Sequence, residues 1–180
     1  MKQTFDSYSQ EASKAVTRKY STSFYAGVKS LEKSIRADIH NIYGFVRFAD
    51  EIVDSFHDFN KELLFNEFKE ETFKAIDRGI SLNPILNSFQ HTVNKYKIDH
   101  ELIRQFLHSM EMDLNPQEYN QEKYEEYILG SAEVVGLMCL KIFVHGDESE
   151  YQKLKPFAMK LGSAFQKINF LRDIRSDYYD

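Results

Sequence analysis

Two pairs of aspartates, Asp50 with Asp54 and Asp173 with Asp177, are each separated by three residues in this 180-residue sequence. On a helix, residues four positions apart lie on the same face, so each pair directs two carboxylates the same way. Two carboxylates so placed repel each other unless a cation lies between them. Hard oxygen ligands select Mg²⁺, which keeps several waters and commonly bridges carboxylates to a diphosphate. If the pairs face each other across a helical bundle, they would hold Mg²⁺ ions and the diphosphate of a substrate.

Polar side chains gather on one strip of the last predicted helix. At 100° per residue, Gln166, Asn169 and Asp177 fall within about 40° of Asp173, whereas most other directions are apolar. A helix that is apolar on nearly all sides is normally buried, and buried polar groups need partners or a water-filled cavity. The strip is therefore predicted to line a cavity.

The first aspartate pair has weaker support from its neighbours. Tyr43 and Arg47 fall within about 60° of Asp50, at the border of an apolar stripe. Spacing alone leaves other interpretations open, because Arg47 could simply pair with a carboxylate of its own helix and Tyr43 could be a core tyrosine. With 28 acidic residues in the chain, pairs at this spacing also arise by chance.

Helices are predicted to position all of these residues. Glycine and proline are scarce, at 7 and 3 residues, and no Asn-Gly or Asp-Gly turn occurs. Asn83-Pro84 and Asp99 are typical of helix starts, and Gly79 is typical of a helix end. The predicted helices cover residues 1–20, 22–31, 32–56, 61–78, 83–95, 99–113, 118–144 and 148–180. This pattern indicates an all-α bundle with short connections.

Charge and composition exclude several classes of protein. A net charge of −5 argues against a nucleic-acid partner held through phosphate contacts. Cys139 is the single cysteine, so no internal disulfide can form and a reducing compartment is expected. The N-terminus lacks the apolar run of a signal peptide, and the apolar stretch 134–144 is too short to span a bilayer. The six histidines show no metal-binding spacing and are expected at the surface or at helix caps. The sequence therefore predicts one cytoplasmic domain.

Two segments in the first third of the chain carry motifs. Residues 21–24 read Ser-Thr-Ser-Phe and have the form S-x-S-F. Residues 43–54 have the form Y-x-x-x-R-x-x-D-D-x-x-D, except that Glu51 takes the place of the middle aspartate. The candidate site residues that these motifs contain are Ser21, Ser23, Phe24, Tyr43, Arg47, Asp50 and Asp54.

Two further motifs follow in the second half. Residues 127–136, from Tyr127 to Gly136, have the form Y-x-x-G-x-A-x-x-V-G, and residues 161–177 have the form L-G-x-A-x-Q-x-x-N-x-x-R-D-x-x-x-D. Four motifs in this order, over residues 20–177, resemble the squalene/phytoene synthase family, the head-to-head prenyl diphosphate synthases. Many members have a histidine just before the first motif, where this chain has Tyr20.

The resemblance implies both a fold and a reaction. The fold is a helical bundle of the isoprenoid synthase type around a central cavity, here without its C-terminal helices. The reaction is the Mg²⁺-dependent condensation of two geranylgeranyl or farnesyl diphosphates to phytoene or (dehydro)squalene, through a cyclopropylcarbinyl diphosphate. Phytoene or dehydrosqualene is the favoured product, since nothing in the sequence indicates the reducing nicotinamide that squalene formation needs. Such lipid products favour peripheral contact with the inner face of a membrane.

The resemblance also assigns roles to individual residues. The expected Mg²⁺ ligands are Asp50, Asp54, Asn169, Asp173 and Asp177. Arg47 is expected to bind a phosphate, with Ser21, Ser23, Phe24 and Tyr43 lining that end of the site. Tyr127 and Gln166 are expected near the reacting carbons.

Two other classes of protein stay open at this point. A non-catalytic member of the same fold could serve as a scaffold or assembly protein, but such relatives tend to lose their aspartate pairs, and all four outer aspartates are present here. The second class is an unrelated helical interaction domain. The apolar surroundings of Asp173 and Asp177 on the helical projection argue against that class.

Overall fold

The computed structural model describes residues 1–114 and 120–179, with side chains described for 1–114 and 120–171. No strand occurs in this part of the chain. The α-helices are α1 (Lys2–Tyr20), α2 (Thr22–Val28), α3 (Arg36–Ser55), α4 (Lys61–Arg78), α5 (Pro84–Tyr96), α6 (His100–Leu114), α7 (Gln121–Ile128), α8 (Val134–Phe143) and α9 (Glu148–Tyr179). A π-helical turn, Leu129–Glu133, joins α7 to α8. The predicted all-α class is confirmed.

Local sequence signals set several helix ends. The Ser21 hydroxyl accepts a hydrogen bond from the Phe24 amide at the start of α2, and the Asn83 side chain accepts from two amides at the start of α5. Gly79 ends α4 in the left-handed conformation, at φ 69°. The predicted boundaries of α4 are therefore confirmed, because each lies at a residue that caps the helix by itself.

Three predicted boundaries differ from the structure by more than one residue. Helix α2 ends at Val28 and α3 begins at Arg36, because residues 29–35 form turns instead of continuing the helices. The long helix predicted over 118–144 begins at Gln121, where Asn120 caps it through the Lys123 amide, and it widens into the π turn. Residues 118 and 119 of that prediction lie outside the described residues.

The chain folds as two compact units, Met1–Asp99 and His100–Asp180. The core of the first unit is aromatic: the rings of Phe45 on α3 and Phe89 on α5 stack with centroids 3.8 Å apart, and Phe68 of α4 lies 5.6 Å from Phe45. Phe45 and Phe89 are fully buried, which makes this stack a main source of hydrophobic stabilisation. The expectation of one domain over residues 1–180 stays a prediction.

A buried polar cluster fixes α3 against α5 in the first unit. The carboxylate of Asp38, which is 2% exposed, accepts hydrogen bonds from Thr92 (3.1 Å), Lys95 (2.7 Å) and Tyr96 (2.9 Å). A buried charge with this many donors is satisfied. Because Asp38 lies on the same helix as Asp50, the cluster also holds the helix that carries the first aspartate pair.

Glycines allow close packing in the second unit. A Cβ on Gly130 would lie 2.6 Å from the main-chain oxygen of Gln105 on α6, and one on Gly162 would lie 2.9 Å from the oxygen of Ala132. Both distances are too short for any side chain. Gly162, like Gly130, therefore packs directly against the main chain of another element. At Gly136 the nearest atom would be 3.5 Å away, an ordinary contact.

The prediction that α9 is buried on nearly all sides is wrong for the described side chains. Leu161, Phe165, Ile168 and Leu171 are 59%, 60%, 60% and 70% exposed. Helix α9 packs on α8 and the π turn along one side, and this packing leaves the four residues uncovered. No helix among the described residues is long and apolar enough to cross a membrane.

His40 departs from the expectation that the histidines lie at the surface or at caps. It is 4% exposed, within α3. Burial, together with the positive charge of Lys14, lowers the pKa of His40 to about 4. The folded protein therefore holds a neutral imidazole at this position throughout the physiological range.

Replacing His40 by Gln is expected to flatten the pH dependence of the free energy of unfolding. Because the pKa of His40 in the folded state is about 4 instead of 6.5, the unfolded chain binds a proton between these values that the folded chain does not. Stability therefore falls as the pH falls, by about 1 kcal/mol between about pH 7.5 and 5.5. Urea unfolding at both pH values measures the change. His91→Gln, at an exposed position, is the control and should keep the wild-type dependence. An unchanged dependence in His40→Gln would contradict the assignment.

Candidate active site

The first half of the candidate site lies on the C-terminal half of α3. The Arg47 guanidinium donates hydrogen bonds to Asp50 and, at 2.5 Å, to Glu51 Oε2. Arg47, Asp50 and Glu51 are half-buried, whereas Asp54 is exposed. Arg47 thus pairs with carboxylates of its own helix, one of the interpretations that spacing alone left open. Its Nε is buried and has no hydrogen-bond partner among the described residues.

Asp50 and Asp54 form an acidic pair whose negative charge Arg47 neutralises only in part. Burial, followed by the negative charge of Asp54, raises the pKa of Asp50 to about 6, although Arg47 acts in the opposite direction. A cation stronger than one guanidinium would relieve this repulsion. The donors fit Mg²⁺, because both are carboxylate oxygens on one helix face.

Two carboxylates alone do not make a complete metal site. The described part of the chain contains no group of three or more His, Cys, Asp or Glu residues that could hold a metal ion. Mg²⁺ commonly takes one or two carboxylates and completes its shell with water and substrate phosphates. Asp50 and Asp54 therefore fit as a partial ligand set that needs a phosphate-bearing substrate.

Aromatic side chains from α1 and α2 border the Arg47 cluster. The Tyr20 ring lies under the guanidinium, 4.5 Å from Arg47 Cζ to the ring centroid. Phe24 stacks on Tyr43 with centroids 4.9 Å apart, and burial raises the pKa of the Tyr43 hydroxyl, which keeps it protonated. The hydroxyls of Ser21 and Ser23 lie 3.5 Å apart beside them. The structure thus brings the predicted residues of the first two motifs together.

Sequence reasoning missed the roles of Tyr20 and Glu51. Each was noted only as a departure from a motif, yet Tyr20 supplies a cation–π contact and Glu51 a second carboxylate to Arg47. For Glu51 the signal was present, since residues at i and i+4 on a helix are neighbours. For Tyr20 no signal within the sequence places it against α3.

The other predicted site residues lie in the second unit. Gln166 and Asn169 are half-buried neighbours on α9, with Asn169 Nδ2 3.4 Å from Gln166 Oε1. The Tyr127 hydroxyl donates to Asp113 Oδ2 at 3.1 Å, and its ring lies 5.9 Å from that of Phe170. Asp113 and Phe170 are therefore functional candidates that the sequence did not single out.

Asp173 and Asp177 lie on α9, and their side chains are outside the described residues. The backbone does carry them one helical turn apart, as the sequence predicts. That the two aspartate pairs face each other across a cavity stays a prediction.

Comparison with known proteins bears on these motifs. A family model described as squalene/phytoene synthase matches residues 17–180. The chain belongs to the squalene/phytoene synthase family. The match begins three residues before Tyr20 and includes all four motifs.

Individual members of the squalene/phytoene synthase family are similar at moderate identity. The phytoene synthase of Arthrospira platensis is 29% identical over 183 residues, which cover 96% of this chain and 58% of that protein. The presqualene diphosphate synthase of Rhodopseudomonas palustris is 28% identical over 163 residues, which cover 87% of this chain and 55% of that protein. The chain therefore spans a little over half the length of these relatives.

Solved structures of the squalene/phytoene synthase family share the fold. A dehydrosqualene synthase crystallised in complex with ligand matches with a TM-score of 0.83 at 22% identity, over 97% of this chain and 59% of that one. A squalene synthase from Alicyclobacillus acidocaldarius matches with a TM-score of 0.81 at 21% identity, over 95% of this chain and 63% of that one. The predicted helical fold of the isoprenoid synthase type is confirmed.

Proposed function

We propose that the protein is a Mg²⁺-dependent prenyltransferase that joins two prenyl diphosphates head to head. The substrates are geranylgeranyl or farnesyl diphosphate, and the product is phytoene or dehydrosqualene, formed through a cyclopropylcarbinyl diphosphate. Membership of the squalene/phytoene synthase family supports the reaction class. The observation that carries the proposal is the cluster of Arg47, Asp50 and Asp54, in which an acidic pair and a guanidinium lie together on one helix face.

The chemistry of an allylic diphosphate requires such a cluster. Cleaving its C–O bond leaves an allylic cation and a diphosphate whose negative charge must be stabilised as it forms. Asp50, Asp54, Asn169, Asp173 and Asp177 would hold Mg²⁺, which supplies most of that charge stabilisation when it is bound. Arg47 would add hydrogen bonds to a phosphate oxygen from its fork of N–H donors.

The aromatic residues would protect the cation from water. Phe24 and Tyr43, stacked beside Arg47, present ring faces that favour a nearby positive charge, and burial keeps the Tyr43 hydroxyl neutral. In the other unit, Tyr127 and Phe170 form a similar aromatic wall next to Gln166 and Asn169. Exclusion of water matters because a captured cation would end as an alcohol instead of a hydrocarbon.

Incubation with each prenyl diphosphate and Mg²⁺, followed by extraction of apolar products, tests this proposal. A C40 hydrocarbon from geranylgeranyl diphosphate, or a C30 hydrocarbon from farnesyl diphosphate, is expected, with release of inorganic diphosphate. Product formation should stop when EDTA removes the metal. A folded chain that forms neither a hydrocarbon nor a cyclopropylcarbinyl diphosphate would contradict the proposal and favour a scaffold role.

Binding provides a second readout that does not need turnover. A non-ionisable thio analogue of farnesyl diphosphate is expected to bind in calorimetry only when Mg²⁺ is present. Asp50→Asn is expected to weaken this Mg²⁺-dependent binding. Asp77→Asn removes an exposed carboxylate of α4 instead, so it is the matched control and should bind like the wild type. Equal binding with and without Mg²⁺ would contradict the metal assignment.

The lipid product also bears on where the protein works. We propose that it acts from the cytoplasm and meets the inner face of the membrane peripherally. Sedimentation with lipid vesicles tests the contact, and a chain that stays entirely in the supernatant would contradict it.

A further inference from the structure

A basic pocket opens in the first unit, away from the aspartate pair. It has a volume of about 530 Å³ and lies among α1, α2 and the N-terminal half of α3. Four basic side chains line it, and the acidic side chain in the lining is Glu11. The basic residues are Lys14, Lys29, Lys33 and Arg36. Like charges gathered around one concavity focus a positive potential there and favour an anion.

Arg36 is oriented for binding at this pocket. Its Nε donates to the Leu31 main-chain oxygen at 2.8 Å, which fixes the plane of the guanidinium. Within the described residues, Arg36 makes no ion pair and no other hydrogen bond. The remaining donors of the fork are therefore available to a ligand, and this fork geometry matches phosphate oxygens.

The lysines around the pocket are likewise without carboxylate partners. No ion pair joins Lys14, Lys29 or Lys33 to a carboxylate among the described residues. Lys29 instead lies over the Tyr25 ring, 4.6 Å from its centroid, and Tyr25 also lines the pocket. This contact holds one ammonium group close to the pocket.

His40 gives the pocket a buried polar wall. It lines the pocket, is 4% exposed, and stacks on Tyr25 with centroids 5.7 Å apart. Its Nδ1 is buried and has no hydrogen-bond partner among the described residues. A buried polar atom without a partner is costly, so a ligand oxygen that bonds to it would lower the free energy of the folded state.

We propose that this pocket binds a phosphate group, held by Arg36 and the three lysines, with His40 donating to it from the wall. Its volume falls in the range of pockets that hold small ligands, about 300–1,000 Å³, so the phosphate can carry a substituent. The group belongs either to a free phosphate or diphosphate or to the headgroup of an anionic lipid. Both sources share the chemistry that the pocket recognises.

The pocket is separate from the proposed catalytic cluster. His40 precedes Arg47, the nearest member of that cluster, by 7 positions on α3, which corresponds to about 10 Å along the helix axis. None of the residues that line the pocket belongs to the four motifs. Binding here needs no Mg²⁺, because the pocket supplies the positive charge itself.

Calorimetric titration with inorganic phosphate and with diphosphate, both in EDTA, tests the proposal without any prenyl substrate. The double variant Lys14→Gln/Lys33→Gln is expected to weaken binding at least about tenfold. The control double variant Lys19→Gln/Lys97→Gln removes the same charge from two exposed positions of this unit and should bind like the wild type. In long-range ¹H–¹⁵N spectra, the Nδ1 resonance of His40 should shift when phosphate or diphosphate is added until the pocket is fully occupied.

A second arm distinguishes the two sources of phosphate. Vesicles of phosphatidylglycerol and phosphatidylcholine are compared with pure phosphatidylcholine vesicles in sedimentation, in the same buffer. Saturable binding of free phosphate or diphosphate identifies a soluble ligand, whereas anionic-vesicle binding that the Lys14→Gln/Lys33→Gln variant loses identifies a lipid headgroup. The proposal is overturned if neither ligand binds, or if the control variant loses binding as much as the pocket variant.

Discussion

Asp50→Asn is expected to slow consumption of prenyl diphosphate by at least about 100-fold, because it removes a proposed metal ligand from the site that we propose stabilises the departing diphosphate. The substitution keeps the size of the side chain and one oxygen, so it changes charge more than shape. It also leaves Arg47 with Glu51 as its partner, at 2.5 Å, so the guanidinium stays near its position. The loss should therefore appear in the Mg²⁺ dependence of binding and not in the fold.

Asp50→Asn should leave the protein at least as stable as the wild type at neutral pH. In the folded state, burial and the charge of Asp54 raise the pKa of Asp50 to about 6, above its ordinary value of 3.8. At pH 7 the folded chain must therefore ionise a carboxyl that resists ionisation more than in the unfolded chain, which lowers stability. An asparagine removes this cost, although the lost bond to Arg47 offsets part of the gain.

Measuring activity and stability on the same variants tests both expectations for Asp50→Asn. Initial rates with geranylgeranyl diphosphate and urea midpoints at pH 7 are compared for the wild type, Asp50→Asn and Asp77→Asn. Asp77 is exposed on α4, so its variant controls for the loss of one carboxylate and should match the wild type in both measurements. Full activity in Asp50→Asn would contradict its role as a metal ligand, and a large fall in its urea midpoint would contradict the interpretation of its raised pKa.

The parts of the fold that sequence predicted well are those set by short-range interactions. Helix α5 begins at Pro84 because Asn83 caps it, and α4 ends at Gly79 because glycine adopts the left-handed conformation readily. Both signals lie within a few residues of the boundary they set. The same locality explains the Arg47–Asp50 pair, because residues three positions apart on a helix are neighbours wherever the helix packs.

The exposure of α9 shows what a helical projection leaves undetermined. The projection correctly places Gln166 and Asn169 side by side, since their positions follow from the helix geometry. It also places Phe165 and Ile168 on apolar faces, but whether an apolar face is covered depends on which elements pack against it. In this chain both residues are 60% exposed. Periodicity thus identified the faces and not the packing partners.

The residues of the candidate site also differ in whether the sequence could predict them. Tyr43, Arg47 and Asp50 could be predicted as site residues, because motif order and helix spacing place them on one face of α3. The contributions of Tyr20 to Arg47 and of Asp113 to Tyr127 could not, because each depends on the approach of a separate helix. His40 was missed for the same reason, since its burial follows from how α3 packs in the first unit.

Gly130→Ala is expected to destabilise the second unit by about 2–3 kcal/mol. The new Cβ would lie 2.6 Å from the Gln105 main-chain oxygen and 2.6 Å from Ser109 Cβ. The main-chain oxygen cannot rotate away, so α6 and the π turn would have to separate. Alanine's better helix propensity, worth about 1 kcal/mol over glycine, opposes this effect but is the smaller of the two. Gly130 lies inside the π turn and against α6, so the substitution disrupts the contact between these two elements.

Gly27→Ala is the matched control, because a Cβ there would meet no atom within 4 Å. It lies in α2, where alanine should stabilise the protein by up to about 1 kcal/mol. Hydrogen exchange followed residue by residue reports the stability of each unit by itself, whereas a single unfolding curve does not distinguish the two. Gly130→Ala should accelerate exchange of the α6 amides from Leu102 to Met110 while those of α3 and α5 keep their wild-type rates. Unchanged exchange in α6 would mean that the helices separate at little cost, and that the close contact at Gly130 does not require glycine.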